Sequence, residues 1–169
     1  MCNFVPEAKT HHMNRIYFSI VLFLAMSFMA KSQSSDLDPG QLPANVRMTL
    51  SRYVEALHSG SLQQCADKFV RIAGGPLLSD DGAQLAPNTE SFSLKNDFDN
   101  IKSYAQPIQI LKVNVRYSNG MGFGQTTLKG QVYKIWLGKP DGSSGPVSII
   151  VPEGSPTFTE PRVVGIGSL

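Results

Sequence analysis

The segment from residue 108 to residue 137, IQILKVNVRYSNGMGFGQTTLKGQVYKIWL, constrains the fold more than any other part of the chain. Between positions 111 and 118, apolar residues at odd positions alternate with polar residues at even positions. This period of two is typical of a β-strand with one buried face. Asn119 and Gly120 follow and favour a two-residue type I′ turn, in which both central residues adopt positive φ. The segment therefore predicts a long β-hairpin that turns at Asn119 and Gly120.

The predicted turn also fixes the register of this hairpin. It places Leu111 opposite Leu128, so that apolar residues face each other on the buried side. After Val132 the apolar positions change phase. Either a β-bulge near Gly130 shifts the pattern, which we favour, or the strand is buried on both faces. The apolar residues of the new phase are Tyr133, Ile135 and Leu137.

Three segments before the hairpin have the periodicity of amphipathic helices. The first is predicted from Pro43 to the stop at Ser59-Gly60, and the second after a helix cap at Ser61. The third is predicted from Leu94 to Ala105. The residues expected to face the sheet are Val46, Leu50, Tyr53, Val54, Leu57, Leu62, Cys65, Ala66, Phe69, Leu94, Phe98, Ile101 and Ala105.

Short strands complete the predicted fold. Leu78 and Leu85 lie symmetrically about Asp81-Gly82, which favours a small hairpin. After the long hairpin, residues 147–151 and 162–169 have the composition of two further strands. The chain is thus expected to be an α+β protein in which helices precede most of the sheet.

Residues 1–32 have the order of a secretory leader. Arg15 precedes an apolar run from Ile16 to Ala30, and Ala30-Lys31-Ser32 follows as a cleavage site. The run is shorter than the ~20 apolar residues that a membrane-spanning helix needs. We therefore expect export to the periplasm or the extracellular space with cleavage near Ser32. Attachment to a membrane would require the leader to be retained.

The remaining chain divides into a polar tether, residues 33–43, and a single domain, residues 44–169. The net charge of +2 arises in the leader, because residues 33–169 contain equal numbers of basic and acidic side chains. They contain no run of basic residues. Nucleic-acid binding needs a cationic surface, so it is not expected of this chain.

The order of helix, short helix, small hairpin, helix and long antiparallel meander resembles the nuclear-transport-factor-2-like (cystatin-like) superfamily, here of an exported bacterial type. The segments VRMTLSRYVEALHSGSLQQCADKFV and PRVVGIGSL are similar to its opening helices and its closing strand. The resemblance covers residues 44–169. It implies three N-terminal helices packed on a curved antiparallel sheet to form a cone, often with a pocket at its open end.

Seven inward positions are candidates for lining such a pocket. Five are apolar, and the hydroxyl groups of the two tyrosines either orient a ligand or find partners in an ordinary core. Members of the superfamily include ketosteroid isomerases, dehydratases, ligand binders and assembly domains, so the fold does not settle the function. The seven candidates are Tyr53, Leu57, Phe98, Leu111, Val113, Tyr117 and Leu128.

No catalytic residues are predicted. Asp97 and Asp99 flank the inward Phe98 and are expected to point into solvent. His58 lies at the end of the first helix, where an imidazole suits the helix dipole. Cys65 lies on an apolar stripe and is expected to be a buried structural thiol. With one histidine and one cysteine after the leader, neither a metal site nor a cofactor is expected.

Together these patterns favour an exported, non-enzymatic module that binds a small apolar ligand or another protein. A ketosteroid-isomerase-like isomerase or dehydratase is the first alternative, and a membrane-anchored assembly domain is the second. The polar face of the hairpin is expected to be solvated, with a homodimer through the sheet as the alternative. That face comprises Lys112, Asn114, Arg116, Gln125, Thr127 and Lys129.

Overall fold

A computed structural model describes residues 34–104 and 106–169, and within them it contains three α-helices and one five-stranded antiparallel sheet. The predicted leader lies outside the described residues. Within the described ranges, no helix is both long and apolar enough to cross a bilayer. The α+β class is confirmed.

The elements follow one another in the order strand, three helices and four strands. The helices are α1 Ala44–Leu57, α2 Leu62–Phe69 and α3 Lys95–Asn100. The strands are β1 Ser35–Leu37, β2 Ile110–Met121, β3 Leu128–Gly138, β4 Ser144–Pro152 and β5 Arg162–Gly165. They lie in the order β1-β2-β3-β4-β5, so the sheet is open. The predicted tether therefore includes an edge strand, because β1 pairs with β2.

The long hairpin forms, but it does not turn where the Asn-Gly pair predicts. β2 continues through Asn119 and Gly120, and the chain reverses within residues 122–127. There Gly122 and Gly124 have the positive φ values of +109° and +52° that a reversal needs, whereas Gly120 has no positive φ. The prediction of a type I′ turn at Asn119 and Gly120 is therefore wrong. The predicted register is wrong as well, because Leu128, the expected partner of Leu111, pairs with Met121.

The Asn-Gly pair belongs to a β-bulge. Ser118 pairs with Gly130 and Met121 pairs with Leu128, so Asn119 and Gly120 together oppose a single residue of β3. A bulge thus lies next to Gly130 but on the other strand, and it does not cause the change of apolar phase in β3. The pairing of β3 with β4 is continuous from Gly130 to Gly138.

Burial on both faces explains the phase change in β3. The consecutive residues Val132 and Tyr133 are only 1% and 6% exposed. Their partners on β4, Ile150 and Ile149, are fully buried as well. Successive side chains of a strand point to opposite faces, so the middle of the sheet is covered on both sides. The change of phase therefore arises from burial on both faces, and not from the bulge near Gly130 that we favoured.

The first two predicted helices are confirmed. α1 begins after Pro43 and ends just before Ser59-Gly60, and the Ser61 hydroxyl caps α2 by accepting a hydrogen bond of 3.3 Å from the Gln64 amide. An antiparallel bridge between Leu78 and Leu85 confirms the small hairpin. The third helix is shorter than predicted, because a π-helical turn, Thr89–Leu94, precedes it and a 3₁₀ turn, Ile101–Ser103, follows it.

The core lies between the helices and the sheet. α1 packs against α2 and against strands β4 and β5. The predicted last strand is also shorter than expected: β5 ends at Gly165, and residues 166–169 form a non-strand segment, here called the tail. The fully buried large side chains are Tyr53, Phe69, Leu57, Leu94, Ile101, Leu128, Ile135, Leu137, Ile149, Ile150, Val46 and Val113.

Candidate functional site

Asp97 on α3 is a fully buried carboxylate, with no exposed side-chain surface. The prediction that it points into solvent is wrong. Three and four residues make about one helical turn, so Asp97 lies on the same stripe as Leu94 and Ile101. Adjacent helix residues differ by only ~100°, and flanking the inward Phe98 does not turn Asp97 outward. The spacing from Leu94 and Ile101 was the signal in the sequence that pointed to this burial.

Both carboxylate oxygens of Asp97 accept hydrogen bonds from the chain itself. Oδ2 accepts from the Tyr53 hydroxyl at 2.5 Å and from the Gly167 amide at 2.8 Å. Oδ1 accepts from the Leu169 amide at 2.9 Å. A buried carboxylate is tolerated when several donors replace the water it has lost. These three donors join α1, α3 and the tail around one charge.

Two asparagines of α3 extend this contact to the tail. Nδ2 of Asn96 donates to the Gly167 carbonyl at 3.3 Å, and Nδ2 of Asn100 donates to the Leu169 carbonyl at 3.0 Å. The Leu169 side chain is itself buried. We call the side chains of Asn96, Asp97 and Asn100, together with the tail, the tail clasp. The tail is not a strand, so its backbone amides and carbonyls form their hydrogen bonds with these side chains of α3 instead.

The groups around the clasp are held in their neutral forms. Burial, followed by the charge and hydrogen bond of Asp97, raises the pKa of Tyr53 well above its ordinary value. Burial raises the pKa of the Tyr104 phenol to about 12 and that of the Cys65 thiol to about 11. Cys65 is fully buried, as predicted. At neutral pH it is a thiol and not the thiolate that reacts as a nucleophile.

The buried cluster is poorly suited to proton transfer. A general base must reach the proton that it takes from a substrate, directly or through one water. Asp97 has no exposed surface and already accepts three hydrogen bonds from the chain. The geometry of the cluster is therefore that of a structural element.

The seven candidate pocket residues do not converge on one open cavity. Tyr53, Leu57, Val113 and Leu128 are buried to 1% exposure or less, as core residues are. Phe98 is half-buried at the margin of this core. A side chain that lines a pocket open to ligand keeps some accessible surface, and these four do not.

The other two candidates lie on β2, as Val113 does, but neither is fully buried. Tyr117 is half-buried, and its hydroxyl donates to Glu153 at 2.9 Å. Leu111 is 50% exposed. Ile110 pairs with Leu137 and Lys112 pairs with Trp136, which leaves Leu111 as the extra residue of a bulge. The bulge interrupts the alternation of inward and outward side chains along β2, and the inward position predicted for Leu111 depended on that alternation.

An open groove runs along α1 and has a volume of about 430 Å³. Its other wall is the segment that leads into β2. Leu50, Val54, Pro107, Ile108 and Ile110 give it an apolar lining. Its polar lining residues are Arg47, Ser51, Glu55, His58 and Gln106. We call this feature the α1 groove.

His58 lies at one end of the α1 groove with a defined tautomer. Its Nδ1 lies 2.8 Å from the Val54 carbonyl oxygen, so Nδ1 carries the proton and donates it. Its Nε2 lies 3.3 Å from Nε2 of Gln106 and accepts from that amide. The His58 side chain is exposed, and the 3.3 Å bond is long. A ligand hydroxyl is a suitable replacement for the Gln106 donor.

A second groove, of about 440 Å³, lies at the turn of the long hairpin. Most of its lining side chains are polar, among them Asn119, Gln125, Thr127, Lys129 and Glu153. It offers fewer apolar side chains than the α1 groove. Among residues 34–104 and 106–169, no three histidine, cysteine, aspartate or glutamate side chains are grouped to hold a metal ion.

Comparisons with protein-family models, with curated proteins and with solved structures found no match to this chain. The candidate sites therefore stand on their geometry. Of the three features described above, the tail clasp is closed to ligands, the groove at the hairpin turn has mostly polar side chains, and the α1 groove is open and chemically mixed.

Proposed function

We propose that this chain is a non-enzymatic binding module of the nuclear-transport-factor-2-like type, which binds a small, mostly apolar ligand in the α1 groove. In this proposal the helices and sheet form the cone of that superfamily, and core side chains fill its interior. Ligand binding then moves from the interior to the groove between α1 and the segment that leads into β2.

The character of the α1 groove is the observation that supports this proposal. Its volume of about 430 Å³ lies within the range of roughly 300–1,000 Å³ usual for small-molecule sites. Such sites are mostly apolar and carry a few polar groups that orient the ligand. Five of the ten residues that line the groove are apolar, Val54 and Ile108 on opposite walls among them, and His58 near one end is one of its polar groups.

The polar groups at the groove define the ligand more closely. Arg47 and Glu55 contribute one charge of each sign, so the groove does not favour a strongly charged molecule. Nε2 of His58 is an acceptor when Nδ1 donates to the Val54 carbonyl oxygen. The expected ligand has an apolar body and a hydroxyl group that donates to this nitrogen.

Replacing Val54 by lysine tests the groove. The new ammonium group would lie among apolar side chains, and we expect the affinity for groove ligands to fall about tenfold or more. The measurement is an isothermal or fluorescence titration with the best binder from a panel of apolar alcohols, ketones and carboxylic acids.

Met48 provides the matched control on the same helix. It is exposed and does not line the groove, so Met48→Lys adds the same charge elsewhere and should change the affinity less than about twofold. Circular dichroism confirms that both variants are folded. Equal loss of affinity in both variants, or a panel in which nothing binds, would contradict the proposed site.

An isomerase or dehydratase is the second candidate function. The observation in its favour is the buried pair of Tyr53 and Asp97, since a phenol and a carboxyl group can act together in acid–base chemistry. Such a reaction would require the tail to leave Asp97 and admit a substrate. The three hydrogen bonds to Asp97 oppose this, so we rank it below ligand binding.

We further propose that the protein is exported and that its leader is removed near Ser32. The order of Arg15, apolar run and small residues supports this. Mass spectrometry of exported protein should find an N-terminus at or near Gln33. Exported protein that still contains residues 16–30 would instead support the membrane-anchored alternative.

A further inference from the structure

Three cations form a cluster on one face of the long hairpin. Lys134 pairs with Asn114 across β2 and β3, so it lies diagonally between Lys112 and Arg116. Diagonal neighbours on one face of an antiparallel pair are about 7–8 Å apart. All three side chains are exposed. The register thus brings together charges that are scattered in the sequence.

The indole of Trp136 lies beside this cluster. Its ring centroid is 5.6 Å from Nζ of Lys112 and 5.1 Å from Nζ of Lys134. These distances allow cation–π attraction, which holds both ammonium groups near the half-buried ring. We call Lys112, Arg116, Lys134 and Trp136 the basic sheet face. It combines one half-buried aromatic ring with two ammonium groups over that ring and a nearby guanidinium group.

One carboxylate already binds to the basic sheet face. Asp36 lies on the edge strand β1, where its Oδ1 is 3.3 Å from Nζ of Lys112 and accepts from Nδ2 of Asn114 at 3.2 Å. The hydrogen bond from Asn114, and then the one from Lys112, lowers the pKa of Asp36. An extended segment can therefore present a carboxylate to this face.

Two of the cations are not neutralised in this way. Within residues 34–104 and 106–169, neither Arg116 nor Lys134 forms an ion pair. Unpaired charges on a rigid sheet favour a partner of opposite charge. Arg116 can also bind a carboxylate through two parallel hydrogen bonds.

We propose that the basic sheet face binds an extended acidic segment of a partner protein. Carboxylates of this segment pair with Lys134 and Arg116, and an apolar side chain packs on Trp136. These ion pairs would lie next to the one that Asp36 already forms with Lys112. This surface is distinct from the α1 groove, and its partner does not depend on the groove ligand.

Two other occupants fit this surface less well. A second copy of the chain, docked by the same face, would bring like charges together, which is unfavourable. A nucleic acid requires cations along several successive phosphates. Here the cluster has three cations, and Asp36 lies among them.

The test uses the full domain and a short peptide of glutamates around one phenylalanine. Trp136 is the sole tryptophan of the sequence, so its fluorescence reports binding at this face directly. We expect saturable quenching or a spectral shift that weakens as salt is raised. Lys134→Glu and Arg116→Glu should each weaken binding about tenfold or more.

Lys102→Glu is the matched control. Lys102 is exposed in the 3₁₀ turn after α3, so this variant changes the net charge equally but leaves the basic sheet face intact. Its binding should stay within about twofold of the original protein. A peptide that does not bind, or equal weakening by Lys102→Glu, would overturn the proposal. Tighter binding of a single-stranded oligonucleotide would also overturn it, as would a dimer that Lys134→Glu disrupts.

Discussion

Replacing Asp97 by alanine is expected to lower the free energy of unfolding by about 3–5 kcal/mol. The change leaves the Tyr53 hydroxyl and the amides of Gly167 and Leu169 without their acceptor. Each buried donor without a partner costs roughly 1–3 kcal/mol. The tail can recover part of this loss by moving into water. Denaturant unfolding measures the stability, and hydrogen exchange at residues 167 and 169 measures release of the tail.

Asp99 offers a matched control on the same helix. It is exposed and forms an i,i+4 ion pair of 2.6 Å with Lys95. Exposed pairs of this kind contribute about 0.3–0.5 kcal/mol, so Asp99→Ala should barely change the stability. Asp97→Asn keeps one acceptor oxygen and should fall between the two. If Asp97→Ala and Asp99→Ala were equally stable, the tail clasp would not hold the fold together.

Replacing Gly130 by alanine is expected to cost about 2–4 kcal/mol. Gly130 has a φ of +145°, and a Cβ atom there would lie 2.1 Å from the Val151 carbonyl oxygen. β3 and β4 would have to separate at the point where Gly130 pairs with Pro152. Both backbone strain and the clash oppose the substitution. A thermal or denaturant melt gives the difference directly.

Gly120→Ala is the control for this second prediction. Gly120 lies in the bulge of β2 without a positive φ, and its nearest neighbour would be a Thr127 methyl group at 3.5 Å, an ordinary contact. We expect a change of less than about 0.5 kcal/mol. If Gly120→Ala lowered the stability strongly and Gly130→Ala did not, the chain would turn at Asn119-Gly120 and the observed register would be contradicted.

Local patterns predicted the parts of the fold that local forces determine. The stripe of α1, the Ser61 cap and the small hairpin about Asp81-Gly82 depend on residues close together in the chain, and all three are confirmed. The long hairpin is also confirmed as an element. Its turn was misplaced because two glycine-containing segments a few residues apart are each suited to a turn. The turn forms at Gly122 and Gly124, which have the positive φ values, and not at Asn119-Gly120.

The sites were harder to predict because they depend on contacts between distant segments. The tail clasp joins residues 53, 97, 167 and 169, and the hydrogen bond at the α1 groove joins His58 to Gln106. No local pattern indicates these pairs. The burial of Asp97 could have been predicted from its helical spacing from Leu94, but we placed it in solvent because it flanks Phe98. Leu111 was misplaced because a bulge interrupts the alternation of its strand.

The filled core changes where a ligand is expected to bind. Sequence patterns placed an apolar ligand among Tyr53, Leu57, Val113 and Leu128, which the structure shows as tightly buried. The apolar character of the ligand is retained in the proposal, but its site moves to the α1 groove. Asp97 then stabilises the fold from inside, and the ligand binds between α1 and the segment that leads into β2.

Chemical-shift mapping of the isotopically labelled domain, titrated with its best apolar ligand, tests this claim most directly. If the α1 groove is the site, the largest amide shifts will cluster at residues 47–58 and 106–110, while Gly167 and Leu169 keep their positions. Shifts concentrated at residues 97, 167 and 169 would contradict the account. They would show that the tail opens and that the ligand binds beside the buried carboxylate.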